Sequence, residues 1–139
     1  MNLKLQKKLY KKYPKIFIQK NLTIQESCMP CGINCDDGWY KIIDELCSAI
    51  QKYIDKNNVR QVEAVQVKEK FGLLCFYTNY GDEKIWKIIN SSEEKSDNTC
   101  ELCGSTKEIG KTEGYILTLC RKCAEKNKKT IWFPKKEIK

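Results

Sequence analysis

Four cysteines in the last third of the chain carry the sharpest chemical signal. Cys100 and Cys103 are two residues apart, sixteen residues follow, and Cys120 and Cys123 are again two apart. Zn²⁺ prefers four soft ligands in a tetrahedron at about 2.3 Å. Two residues between paired cysteines let one turn aim both sulfurs at one point, and C-x2-C-x16-C-x2-C falls in the zinc-ribbon window. Gly104 follows the first pair and relieves crowding where backbone amides face thiolates. Four protein ligands close such a site and leave no position for substrate, so the expected Zn²⁺ is structural. Lys107, Lys111, Arg121 and Lys122 stand near enough in sequence to offset the thiolate charge. A pair of redox CxxC motifs, or free thiols, is the competing reading.

Cys28, Cys31 and Cys35 form a second cluster. With Cys47 or Cys75 they suit another metal, and three cysteines within eight residues suit a disulfide as well. Unpaired thiols are the plain alternative, with Cys47 and Cys75 filling core space as small hydrophobes. The chain has no His. The commonest general acid or base is therefore missing, and Ser-His and Cys-His nucleophile systems are excluded. One nuclease-like pattern remains. Gln66-Val67-Lys68, with Asp55 or Glu63 upstream, has the acidic-then-(E/Q)xK form of metal-dependent nucleases. The solvent face of an amphipathic strand accounts for the same residues. Asp36 and Asp37 suit a cation, but helix capping explains them more simply.

Charge is unevenly spread. Residues 1–20 carry seven Lys and no acid, the middle of the chain is acidic, and residues 100–139 are basic again, for a formal net charge of +8. Two basic ends suit nucleic acid or an acidic protein face, though lysines also keep surfaces soluble. The candidate contacts are Lys4, Lys7, Lys8, Lys11, Lys12, Arg121, Lys122, Lys128, Lys129 and Trp132. Trp132 and Phe133 among lysines suit base stacking or packing onto the core. No apolar run approaches the ~20 residues of a membrane span. The basic start leads into no apolar segment of signal-peptide type, so a reducing, cytoplasmic setting is expected for nine cysteines.

The elements that must position these residues follow from periodicity. Residues 3–12 suit a short basic helix that ends before Pro14. Ile16 to Ile18 suits a short strand, and 21–37 a loop. A helix is expected from Gly38, capped by Asp36 or Asp37, with Trp39, Ile42, Ile43, Leu46, Ile50, Tyr53 and Ile54 as its apolar stripe. Val62 to Lys70, with Val65 and Val67 on one face, and Leu73 to Thr78 should pair as an antiparallel hairpin across Phe71-Gly72. Gly81 and Asp82 open another helix, bearing Ile85, Trp86, Ile88 and Ile89. Ser91 to Asn98 has the composition of a linker. The expected fold is α+β: an antiparallel β-hairpin packed by helices over residues 1–97, then a C-terminal four-cysteine zinc ribbon with a basic tail over 98–139.

Cys35-Asp36-Asp37-Gly38-Trp39-Tyr40, the run Val67 to Tyr77, Thr99-Cys100-Glu101-Leu102-Cys103-Gly104 and Thr118-Leu119-Cys120 together resemble a family of small uncharacterised bacterial and phage proteins. The resemblance covers roughly residues 28–123. Family members usually carry Arg where Cys75 stands and often His near Cys123. The family brings no known enzymatic activity. It implies a phage-encoded protein of the host cytoplasm that binds host machinery. The expected function is thus non-enzymatic binding of a macromolecular partner, such as inhibition of a CRISPR effector or similar defence complex. The alternative is a nucleic-acid-binding zinc-ribbon module. A metal-dependent nuclease comes third.

Overall fold

Asn2 begins the first helix by accepting the Leu5 amide on its side-chain oxygen at 2.9 Å, which satisfies one of the free donors of a helix N-terminus. The computed structural model, which describes residues 1–127 and 131–135, runs this helix, α1, over Leu3–Lys12. Lys11 and Lys12 sit in its last turn, where cations offset the helix dipole. Only Leu9 of α1 is fully buried. The lysines therefore line its open sides.

Ile16 and Phe17 do not form a strand. Both are fully buried, whereas neighbours in a strand point to opposite faces. A turn after Pro14 lets consecutive residues pack inward, and a short 3₁₀ helix, Ile18–Asn21, follows. The segment expected to be loop contains a further 3₁₀ turn, Met29–Cys31, and a two-residue strand β1, Ile33–Asn34. A third 3₁₀ turn, Asp37–Trp39, precedes helix α2, Tyr40–Asn57. Neither aspartate caps that helix. The Asp37 carboxylate instead accepts from the backbone and side-chain amides of Asn2, both at 2.8 Å. Asn58 ends α2 in the left-handed region at φ +51°.

Strands β2, Ala64–Lys70, and β3, Leu73–Thr78, form the expected antiparallel hairpin. Its two-residue turn has φ +52° at Phe71 and +76° at Gly72, the signs of a type I′ turn that matches strand twist. Strand β1 adds to β2 in parallel, giving the order β1-β2-β3. The ladder shifts register between Ala64 and Gln66. This bulge changes which face the side chains take. Val62, Ala64 and Val67 are buried, while Val65 is only half-buried, so Val65 and Val67 do not share the core face.

Helix α3 spans Glu83–Ser96, capped by the Asp82 carboxylate on the Ile85 amide at 2.9 Å. It extends through most of the segment whose composition suggested a linker. Ser92 and Ser96 are buried, and the Ser96 hydroxyl accepts the Leu74 amide at 2.9 Å. Trp39, Ile43, Leu46, Cys47 and Ile50 from the second helix and the turn before it pack with Ile85, Leu74, Phe76 and Phe17 in one core. The C-terminal ribbon is a second sheet, ordered β5-β4-β6, of β4 Ile109–Thr112, β5 Thr118–Cys120 and β6 Trp132–Pro134. Helix α4, Arg121–Lys126, follows β5. No helix among the described residues is long and apolar enough to cross a membrane.

Candidate metal centre

The first cysteine pair lies in a turn directly after α3, and the second joins the end of β5 to the first turn of α4. Backbone bonds fix both. Cys100 N–H donates to Ser105 O at 2.8 Å and Gly104 N–H to Cys100 O at 2.9 Å. Gly104 stands at φ +78°, which a side chain would resist. Glu101 N–H reaches Thr118 O at 2.9 Å and Arg121 N–H reaches Glu108 O at 3.0 Å. These bonds clasp the two halves together.

The result is one cluster. The sulfurs of Cys100, Cys103, Cys120 and Cys123 all lie within 4.8 Å of one another. Cys103 Sγ and Cys120 Sγ are 3.7 Å apart, close to the roughly 3.8 Å edge of a tetrahedron with 2.3 Å metal–sulfur bonds. Cys100 and Cys120 are buried, Cys123 is half-buried and Cys103 is exposed. Burial pushes the Cys100 and Cys123 thiols up. Burial also acts against ionisation at Cys103, but the Ser105 amide and the neighbouring sulfurs outweigh it and hold that thiol below its ordinary value. These four residues lie close enough to bind a metal ion, and all four donors are soft.

Two of the four cations expected to balance the thiolates are engaged elsewhere. Lys111 Nζ contacts Asp97 and Thr118 Oγ1, each at 2.6 Å. Arg121 Nε pairs with Glu108 at 3.0 Å, and its guanidinium lies over the Trp132 ring. Lys107 and Lys122 are exposed. Trp132 lies against Gly110 and donates from Nε1 to Leu119 O at 3.0 Å. It packs onto the ribbon, while Phe133 is exposed.

The structure also ties to the cysteine cluster residues that the sequence alone did not connect with it. Gly38 N–H donates to Glu101 O at 2.7 Å, and a Cβ at residue 38 would sit 2.3 Å from Cys100 O. Trp39 Nε1 donates to Thr99 O at 2.9 Å. Glu101 is buried, with Oε1 accepting the Asp36 amide at 3.2 Å and Oε2 unpartnered. Burial pushes its carboxyl up to about 7. The Asp-Gly-Trp run, read as a helix start, is thus also the seat of the metal knuckle. A glycine beside a large aromatic at a helix start was the available signal.

The other candidates do not, among the described residues, gather three or more ligands within one chain. Among the described residues, the Cys100 cluster is the one group of three or more metal-ligating side chains. Cys28 and Cys31 are exposed, whereas Cys35 and Cys47 are buried and Cys75 is half-buried. Burial pushes Cys35 up to about 12 and Cys47 well above its ordinary value. Of the nuclease-like residues, Val67 is buried. Glu63 accepts from Gln19 Nε2 at 3.1 Å and Asp55 from Gln51 Nε2 at 2.9 Å. Lys4, Lys7, Lys8 and Lys11 are on α1, where Lys4, Lys7, Lys8 and Lys11 are solvent-facing and Lys12 is paired with Asp44 at 2.8 Å. Lys128 and Lys129 lie outside the described residues.

Fold and site together define an α+β protein whose C-terminal ribbon carries a cluster of four cysteines close enough to bind a metal ion. Comparison with protein families, curated proteins and solved structures gives no match to this chain.

Proposed function

We propose that this chain is a non-enzymatic protein, stabilised by one zinc ion, that acts by binding a macromolecular partner. Four thiolate donors select Zn²⁺ over hard cations and leave it no open coordination position. In this reading the ion shapes a surface rather than reacting. The observation that carries the binding role is the seam between the two sheets. Gly72 O, at the tip of the β2–β3 hairpin, accepts from Thr118 Oγ1 and from Lys111 Nζ. Tyr115 OH donates to Glu69 at 2.6 Å. Phe71 (69% exposed), Tyr115 (71%), Leu73 and Ile116 stay exposed around that seam. A group of large apolar side chains in solvent suits a protein interface.

The setting follows from the resemblance to small phage and bacterial proteins: a phage-encoded inhibitor of a host defence complex, of anti-CRISPR type. The test is capture from host lysate, with Phe71→Ser/Tyr115→Ser as the control variant. The expected result is a defence effector identified by mass spectrometry with the wild type and lost with the variant, both proteins retaining zinc. A wild type that captures no such complex rejects this setting.

The exposed lysines of α1 favour a second reading, a nucleic-acid-binding module. Its affinity would fall steeply with salt. Absence of binding to DNA and RNA at low salt removes it. The nuclease reading has less support, because no acidic cluster of three forms near Lys68 among the described residues.

A further inference from the structure

The pattern C-x2-C-G occurs twice in this chain, in Cys100 to Gly104 and in Cys28-Met29-Pro30-Cys31-Gly32. In both places the glycine stands at positive φ, +78° at Gly104 and +83° at Gly32. The second turn is firmly held. Met29 is 1% exposed in the core. Cys28 N–H donates to Val65 O, the carbonyl of the bulge, at 3.2 Å. Cys31 N–H returns to Cys28 O at 3.1 Å and Gly32 N–H to Met29 O at 2.9 Å. Gln6 Oε1 accepts the Ile33 amide at 3.0 Å, and a Cβ at residue 32 would lie 2.6 Å from that oxygen.

The two turns differ in where the glycine N–H goes, to Cys100 O from Gly104 and to Met29 O from Gly32, and they differ in the other half of the site. Cys103 and Cys100 meet Cys120 and Cys123 of the same chain. Cys28 and Cys31 are exposed, and among the described residues neither belongs to a group of three or more ligating side chains. Cys35 is buried in the core. Beside Cys28 lies an open groove of about 560 Å³ lined by Ile24, Val65 and Tyr77. Ile24 is 69% exposed.

We infer that Cys28 and Cys31 are half of a second tetrahedral thiolate site for Zn²⁺, completed by the same pair from a second copy of this chain. The donor count carries the inference. The ion wants four sulfurs and one chain presents two on a rigid turn. A two-fold axis through the ion supplies the other two and makes the contact self-complementary. The groove beside Cys28 meets its own copy in that contact, which covers Ile24 and Tyr77. Four thiols release four protons to solvent as the ion binds, so no oxidant is consumed. The rival chemistry, a Cys28–Cys31 disulfide, transfers two electrons to an oxidant and leaves a monomer.

The test uses the full chain, purified under reducing conditions with Zn²⁺ present, with zinc measured by elemental spectrometry and mass by light scattering. The expected wild type is a dimer with about 1.5 zinc ions per chain, one closed site each and one shared. Cys28→Ser/Cys31→Ser should be a monomer with about one ion per chain and unchanged far-ultraviolet circular dichroism. As a second measurement, mild chelation of the wild type should release the shared ion and the dimer together. A monomeric wild type overturns the inference, whether it holds about one zinc ion or about two. A dimer that survives in the double variant does the same. The inference stands apart from the Cys100 cluster. About 0.5 zinc per chain in the wild type, falling to none in the double variant, would reject zinc at Cys100 and leave the shared site standing.

Discussion

Phe71 occupies a backbone position that costs a side-chain-bearing residue energy. At φ +52° it lies in the left-handed region, disfavoured by about 1–2 kcal/mol for L-residues and tolerated best by Gly and Asn. Its ring is exposed, so little burial offsets that cost. Phe71→Asn should therefore raise stability by about 1 kcal/mol, read as a higher denaturant midpoint with unchanged slope. A fall in the midpoint would show that the ring packs against the ribbon. Gly38 presents the opposite case. A methyl there would meet two backbone carbonyls, of Cys100 and Glu101, at 2.3 and 2.4 Å. Backbone cannot swing aside as a side chain does, so Gly38→Ala should cost about 3 kcal/mol by thermal or chemical denaturation. It should also weaken zinc retention, because the carbonyls it displaces belong to the knuckle. A neutral Gly38→Ala would mean that the knuckle is not seated on this turn.

The element that joins the two sheets is the end of α3. Asp97 caps it and receives Lys111 at 2.6 Å from β4, together with Lys135. Burial pushes the Asp97 carboxyl up, but hydrogen bonds and charge from Lys111 and Lys135 outweigh this and hold it below its ordinary value. A carboxylate depressed in the folded state stabilises it above the unfolded pKa, near 4, and that contribution is lost as pH falls through the folded value. Asp97→Asn should therefore cost about 1 kcal/mol at pH 7, and the deficit should shrink and vanish as pH falls through the depressed folded value. Equal deficits at pH 7 and below that value would assign the effect to packing. Chelation probes the same junction. Amide exchange should accelerate first across 99–124 and then at Gly38, whose N–H is bonded to Glu101 O, while the β2–β3 hairpin amides stay protected. The cysteine spacing, the α2 stripe and the Phe71-Gly72 turn were legible in sequence because each depends on local geometry. The Ser91–Asn98 segment was not. Ser92 and Ser96 face inward, and Ser96 accepts a strand amide, a tertiary role that composition reads as loop. The bulge at Val65 and the strand β1 were hidden for a like reason, since both depend on hydrogen bonds to distant chain.

At the scale of the whole molecule, the start of the basic N-terminal segment and the start of the basic C-terminal segment flank one turn. Asn2, at the start of α1, is bonded to Asp37, and the next residue, Gly38, is bonded to Glu101 in the ribbon. The sequence separates these ends by an acidic middle, but the fold sets the start of α1 and the metal knuckle on either side of the Asp36–Gly38 segment. On α1, Lys4, Lys8 and Lys11 recur at spacings of four and three, all exposed. Such residues share one helical face. Lys12 is held by Asp44 and makes a poorer contact. A polyanion on this side would therefore engage that stripe, and each Lys–phosphate contact on duplex DNA contributes about −0.9 to the slope of log affinity against log salt. Replacing Lys4, Lys8 and Lys11 together by Gln should make that slope shallower by about 2.7 if all three touch phosphate. The substituted positions are exposed, so the melting temperature and zinc content should hold. A slope that does not change while affinity stays the same would return the stripe to a solubilising role. Loss of capture of a protein partner by the same variant, with no nucleic-acid binding in the wild type, would place an acidic protein face on α1.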